Sequence, residues 1–180
     1  NGLEPLREAI EAQGMRLGLW APLSVVAPAV AAASADGIAQ QCRDAAGGAK
    51  TTTTAQGEQI VMCLASAYRN AAIERLTDLI ARYRLAYLKL DLTTLFNAYG
   101  EAPGCHAVGH DHANAAESIA AIYAAIAEIT AGVYAVHPDV LIDLTFELWG
   151  HKHVIDYGLL RAADLDWLSN VGDKTDDAAG

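Results

Sequence analysis

The segment Tyr87-Leu88-Lys89-Leu90-Asp91-Leu92 constrains this chain more than any other. Side chains alternate across a β-strand, so the leucines take one face and Tyr87, Lys89 and Asp91 the other. Leucines beneath covering helices need no special account, but a lysine and an aspartate on the opposite face of a buried strand do. A lone buried charge costs on the order of several kcal/mol, so such groups must be paired or must face a hydrophilic cavity. The division recurs in Val140 to Leu148, where Val140, Ile142, Leu144, Phe146 and Leu148 oppose Asp143, Thr145 and Glu147. Met15 to Trp20 repeats it, with Leu17 and Leu19 against Arg16, Gly18 and Trp20. Parallel strands buried on both faces read as near-continuous apolar runs. Several strands with one polar face therefore imply a polar site at their ends.

Between these strands lie helical patterns. Leu3, Leu6 and Ile10 fall at helical spacing, with Gly14 as a stop signal. Ser66 is placed to cap a helix whose Ile73, Leu76, Ile80 and Tyr83 share a face. A polar loop runs from the Asp91 strand to about Asn114. A helix then reaches about Val136, with Ile119, Tyr123, Ile126, Ile129 and Val133 aligned. His137-Pro138 sets its limit, because the residue before proline avoids helical geometry. Short strands are expected at Gln59 to Leu64 and Asp164 to Asn170, and a short helix at Tyr157 to Ala163. Residues 33–58, rich in Ala, Gly, Gln and Thr, read as a low-complexity insertion or loop.

Strand–helix–strand repetition of this kind implies an α/β fold with a parallel sheet and right-handed crossovers. An open doubly wound sheet and a (β/α)8 TIM barrel both fit. A whole barrel takes roughly 250 residues, so 180 residues with about five strands would hold an incomplete barrel segment, spanning 1–180 apart from the insertion. The N-terminal Asn1 falls inside a helical pattern, as expected of a piece cut from a longer chain. With 53% apolar and 19% charged residues, the chain can bury a sizeable core. A net charge of −10 and the absence of any Lys/Arg-rich stripe disfavour nucleic-acid partners. The apolar stretch near Leu17 to Ala33 is broken by Pro22 and Pro28, so neither a membrane span nor a signal peptide is expected. Cys42, Cys63 and Cys105 are expected to be buried or free thiols rather than a disulfide framework.

Trp20, Asp91, Glu147 and Asp173 each fall at or just after the C-terminal end of an expected strand, where catalytic groups sit in (β/α)8 barrels. At this point the chain resembles the α-galactosidase clan of glycoside hydrolases, nearest to family 36 with some site residues similar to family 27. The resemblance rests on several stretches: Gly2-Leu3-Glu4-Pro5-Leu6, Gly14 to Trp20, Leu88-Lys89-Leu90-Asp91, Pro138-Asp139-Val140-Leu141-Ile142, and Tyr157-Gly158-Leu159-Leu160-Arg161-Ala162-Ala163-Asp164. Leu90 stands where the family's nucleophile strand carries an aromatic residue.

The resemblance implies a retaining double displacement on α-galactosidic or closely related α-glycosidic bonds, with no cofactor and no metal. In such enzymes one carboxyl group attacks the anomeric carbon, and a second, about 5–5.5 Å away, protonates the leaving oxygen. Asp91 would be the nucleophile. Lys89, on the same face, would hold it ionised and bond sugar hydroxyls. Trp167-Leu168-Ser169-Asn170-Val171-Gly172-Asp173 resembles the family 27 run in which an aspartate is the acid, implying Asp173. Family 36 carries a Trp-Thr-Ser-Asp-type run there, so Asn170 departs from it, and Asp176 is the fallback acid. Glu147, in Phe146-Glu147-Leu148-Trp149, is similar to the family 27 glutamate that binds the sugar 2-hydroxyl; the Cys-x-x-Gly-Gly-Gly run of family 36 is missing. Trp20 would stack on the pyranose, although Ala21-Pro22-Leu23 follows where family 36 has an acidic residue. The implied substrate is an oligosaccharide or galactoside.

Two other readings stay open on the residues. A non-catalytic fragment would bind sugar without cleaving it. A metal-dependent hydrolase would use His106, His110 and His112 of the Cys105–His112 loop, with His151 and His153 as further ligands, although these spacings match no standard zinc pattern. No Gly-rich phosphate loop and no Ser-His-Asp signature occur.

Overall fold

The computed structural model describes residues 2–91, 104–145 and 157–167. A four-stranded parallel sheet, in the order β1 (Gly18–Pro22), β5 (Tyr87–Asp91), β6 (Leu141–Thr145) and β7 (Leu165–Trp167), forms its centre. The strand faces divide as their alternation requires. Leu88, Leu90, Ile142 and Leu144 are fully buried against the helices, whereas Tyr87, Lys89 and Asp91 are half-buried on the other face.

Two long helices cover the leucine face and touch one another: α4 (Tyr68–Tyr83) and α5 (Ala115–Val136). Tyr68, Ala72, Leu76, Ile80 and Tyr83 of α4 fall three or four residues apart and are buried, as are Ile122, Ile126, Ile129 and Val133 of α5. The start of α5 is capped by Asn114, whose side chain accepts from the Glu117 amide at 3.0 Å; Glu117 in turn accepts from the Asn114 side chain at 2.7 Å. It ends at Val136, directly before His137-Pro138. By length and composition α5 is also long and apolar enough to cross a membrane, but its isoleucine and valine stripe is spent on the core. A shorter helix, α1 (Glu4–Glu11), lies against the end of α4 through Arg82–Glu4 at 3.4 Å and Arg84–Glu11. Gly14, at φ 73°, breaks the chain out of it.

The segment between β1 and α4 differs from its sequence reading. Residues 33–58 are not a structureless loop: they contain α3 (Ala35–Ala39) and the hairpin of β3 (Thr51–Thr54) with β4 (Gly57–Val61). The four threonines are β-branched and suit a strand, a preference that the low-complexity composition around them masked. With β2 (Val25–Val26), this hairpin forms a separate antiparallel sheet in the order β2-β4-β3, next to the short helix α2 (Pro28–Ala31). The strand expected at Gln59 to Leu64 therefore exists as β4, but it belongs to the small sheet. The expected count of about five parallel strands falls to four among the described residues.

Other differences are local. The first strand runs Gly18–Pro22 rather than Met15 to Trp20 because the β1–β5 ladder sets its limits. Tyr157 to Ala163 forms turns rather than a helix, with Ala162 N bonded to Leu159 O at 2.8 Å. Ser66 acts one residue before the helix cap, Ala67: its hydroxyl donates to Cys63 O at 2.6 Å and accepts from Tyr68 N at 3.2 Å. The three cysteines are free and buried.

Candidate functional site

In a parallel sheet all strands end on the same side, so register decides which side chains meet at that edge. Trp20 pairs with Lys89, Pro22 with Asp91, Lys89 with Asp143 and Thr145 with Trp167. The Trp20 indole Nε1 donates to Asp91 Oδ2 at 2.9 Å, which joins the ends of β1 and β5. Trp20 keeps 49% of its surface exposed, so its ring face stays open beside the carboxylate. Lys89 lies with its Nζ 3.7 Å from the centroid of the Trp167 ring, a cation–π contact reaching toward β7.

Below this row, Tyr87 donates its hydroxyl to Asp143 Oδ2. Asp143 is 4% exposed, and its Oδ1 has no hydrogen-bond partner among the described residues. Burial and the neighbouring Asp143 carboxylate together push the Tyr87 hydroxyl up to about 12. Further out, Asp164 is structural: its Oδ2 accepts from Tyr134 at 2.6 Å and from the Ile142 amide at 2.9 Å, tying α5, β6 and the start of β7 together.

The structure thus joins Trp20 to Asp91, while Lys89, on the same face of β5, reaches to Trp167 of β7. Glu147, Asn170, Asp173 and Asp176 lie outside the described residues, as do His151 and His153. In the sequence Tyr87 and Asp143 stand out only as members of the polar strand faces, and Trp167 as part of a motif. Their partnership is set by register, which strand periodicity alone does not supply.

The histidine loop assembles differently from the set expected for a metal hydrolase. His110 and His112 converge with Cys63 and Cys105, and one ligand atom from each of the four lies within 4.8 Å of the others. The exposed His106 is not among them. Hydrogen bonds from Cys42 and Cys63 pull the Cys105 thiol well below its ordinary value. Proximity to Cys105 and then Cys63 pushes His110 up to about 10, and the same two thiols together with burial push Cys42 up.

A sheet of this order, with helices on its apolar face and polar groups at its strand ends, defines an α/β protein of parallel-sheet type. No known family profile matches the sequence, and no curated protein matches it by sequence. Solved structures do match the fold. It is similar to the family 36 α-galactosidase AgaB of Geobacillus stearothermophilus, with a TM-score of 0.70 and 16% identity over 96% of this chain and 22% of that one. AgaA of the same organism, solved in complex with raffinose, matches with a TM-score of 0.66 and 15% identity over 94% of this chain and 22% of its own. The α-N-acetylgalactosaminidase NagBb of Bifidobacterium bifidum matches with a TM-score of 0.56 and 20% identity over 79% and 22%. The chain spans about a fifth of the length of these enzymes, since each is covered over only 22%. At such identities the likeness is one of fold.

Proposed function

We propose that this chain forms part of the catalytic (β/α)8 barrel of a retaining glycoside hydrolase that cleaves terminal α-galactosidic or closely related α-glycosidic bonds. Support for the barrel comes from strand order. The four strands of the main sheet neighbour one another in sequence order, as in a barrel, whereas a doubly wound sheet reverses at a switch point. The remaining strands would come from chain outside this piece.

The observation that carries the enzyme reading is the Trp20–Asp91 hydrogen bond at the C-terminal ends of adjacent parallel strands. A nucleophilic carboxylate must be ionised, oriented and open to the anomeric carbon. The indole N–H fixes one carboxylate oxygen, and Lys89 lies two residues back on the same strand face, its ammonium over the Trp167 ring. Aromatic rings at such an edge also suit the apolar face of a pyranose. In this reading Asp91 attacks the anomeric carbon and displaces the leaving group. Asp173, with Asp176 as the fallback, protonates the departing oxygen and then deprotonates the water that hydrolyses the glycosyl-enzyme. Glu147 and Asn170 bind the sugar. The raffinose bound by AgaA makes galactosyl oligosaccharides the first substrates to test.

The test is hydrolysis of an aryl α-galactoside by the intact protein. Asp91→Asn abolishes turnover, and azide restores it to Asp91→Gly by filling the nucleophile's place. Wild-type rates in Asp91→Asn would end the assignment. A substrate with a good leaving group rescues Asp173→Asn but not Asp176→Asn; the reverse pattern moves the acid to Asp176.

A further inference from the structure

The geometry points to a structural zinc site built from Cys63, Cys105, His110 and His112, which clamps together the two loops that follow β1 and β5. Cys63 lies just beyond β4, in the segment between β1 and α4, and the other three lie in the loop between β5 and α5. His112 Nε2 is 3.7 Å from Cys63 Sγ, and His110 Nδ1 is 3.6 Å from Cys105 Sγ. Zinc bonds of about 2.3 Å to sulfur and 2.0–2.1 Å to nitrogen, at tetrahedral angles, set sulfur–nitrogen edges of about 3.6 Å. Two of the four sulfur–nitrogen edges already stand at that separation, and all four ligand atoms lie within 4.8 Å of one another. Two sulfurs and two imidazole nitrogens are the donor set that tetrahedral zinc favours.

The surroundings fit the same occupant. His110 Nε2 donates to Ala39 O at 2.8 Å, so Nδ1, which faces Cys105 Sγ, is the nitrogen that would ligate a metal. The Ala107 amide donates to Cys105 Sγ at 3.4 Å, as it would to a metal-bound thiolate. His112 is half-buried and its Nδ1 has no hydrogen-bond partner among the described residues, so its polar contact falls to Nε2. A weak contact with a thiol fills that role poorly, and a metal–nitrogen bond fills it well. Cys42 is the third buried free cysteine and is not part of the four-residue cluster.

Four protein ligands close the coordination sphere and leave no position for a catalytic water. The site therefore holds the loop rather than performing hydrolysis. Backbone pairings already run between the two segments, from His106 N to Arg43 O and from Asp111 N to Ala65 O, each at 2.9 Å, and Lys50 Nζ reaches Gly104 O at 2.8 Å. A metal at their centre would lock the chain that leaves Asp91 onto the chain that leaves Trp20.

The experiment is metal analysis of the intact protein purified without chelator, followed by replacement with Co2+. The expected result is about one zinc per chain, and a cobalt spectrum with the intense ligand-field bands and sulfur-to-cobalt charge transfer of a tetrahedral thiolate site. Cys63→Ser and His112→Ala should lose the metal, and Cys42→Ala should keep it. Should a variant fail to fold, the wild-type cobalt spectrum decides. Wild-type protein far below one zinc per chain, or cobalt bound without thiolate charge transfer, would overturn the site.

Discussion

Gly18 and Tyr87 face each other across the β1–β5 ladder, and the tyrosine ring lies over the glycine so closely that a Cβ there would stand 2.9 Å from Tyr87 Cδ1. The absence of a side chain at Gly18 therefore aims the Tyr87 hydroxyl at Asp143 on the far side of β5. Gly18→Ala should destabilise the intact protein by about 1–3 kcal/mol, the usual cost of overpacking. The same change should cost little in a Tyr87→Ala background, because the collision is then gone. Denaturant unfolding of the two single variants and the double variant measures this coupling.

Trp20→Phe keeps an aromatic ring beside Asp91 but deletes the indole N–H that bonds its carboxylate. A hydrogen bond to a charged group contributes about 1.5–3 kcal/mol, so kcat/KM on an aryl α-galactoside should fall about 10- to 100-fold. Unchanged kinetics would show that the bond plays no part in turnover.

Tyr87 sets a pH dependence on the alkaline side. Its folded-state value is pushed up to about 12, above the value near 10 of an unfolded tyrosine. The stability it contributes is thus complete below about pH 10 and is lost as pH rises toward 12. Unfolding measured across this window should show a loss that Tyr87→Phe lacks. Absorbance titration of the tyrosinate should find one late-titrating group missing from that variant.

Helix α5 separates the worth of a cap from that of a core contact. Asn114→Ala removes the side chain that accepts from Glu117 N and should cost about 1 kcal/mol, while Asn114→Asp should be nearly neutral. Ile129→Ala empties a fully buried position and should cost about 2–5 kcal/mol. Equal losses at the two positions would mean that α5 does not pack as described.

What was legible locally was whatever has a short period. Alternation separated Leu88 and Leu90 from Lys89 and Asp91, and the structure keeps that division. Helical spacing, Asn114 and His137-Pro138 marked the limits of α5, because caps and proline act through the backbone nearest to them. Gln59 to Leu64 shows where such reading stops. Its β character was visible, but membership of the antiparallel hairpin depends on pairing with Thr51–Thr54, and strand patterns do not name their partners.

Sequence by itself determined the parallel α/β class, through the alternation of strand and helix patterns, and the polar face carrying Trp20, Lys89 and Asp91, through the two-residue repeat of an extended chain. Only the tertiary structure decided that the Trp20 N–H reaches Asp91, and that Cys63 meets Cys105, His110 and His112. Those meetings depend on sheet register and on how one loop lies across another. Both are settled by packing free energy summed over the whole core, which no local pattern encodes.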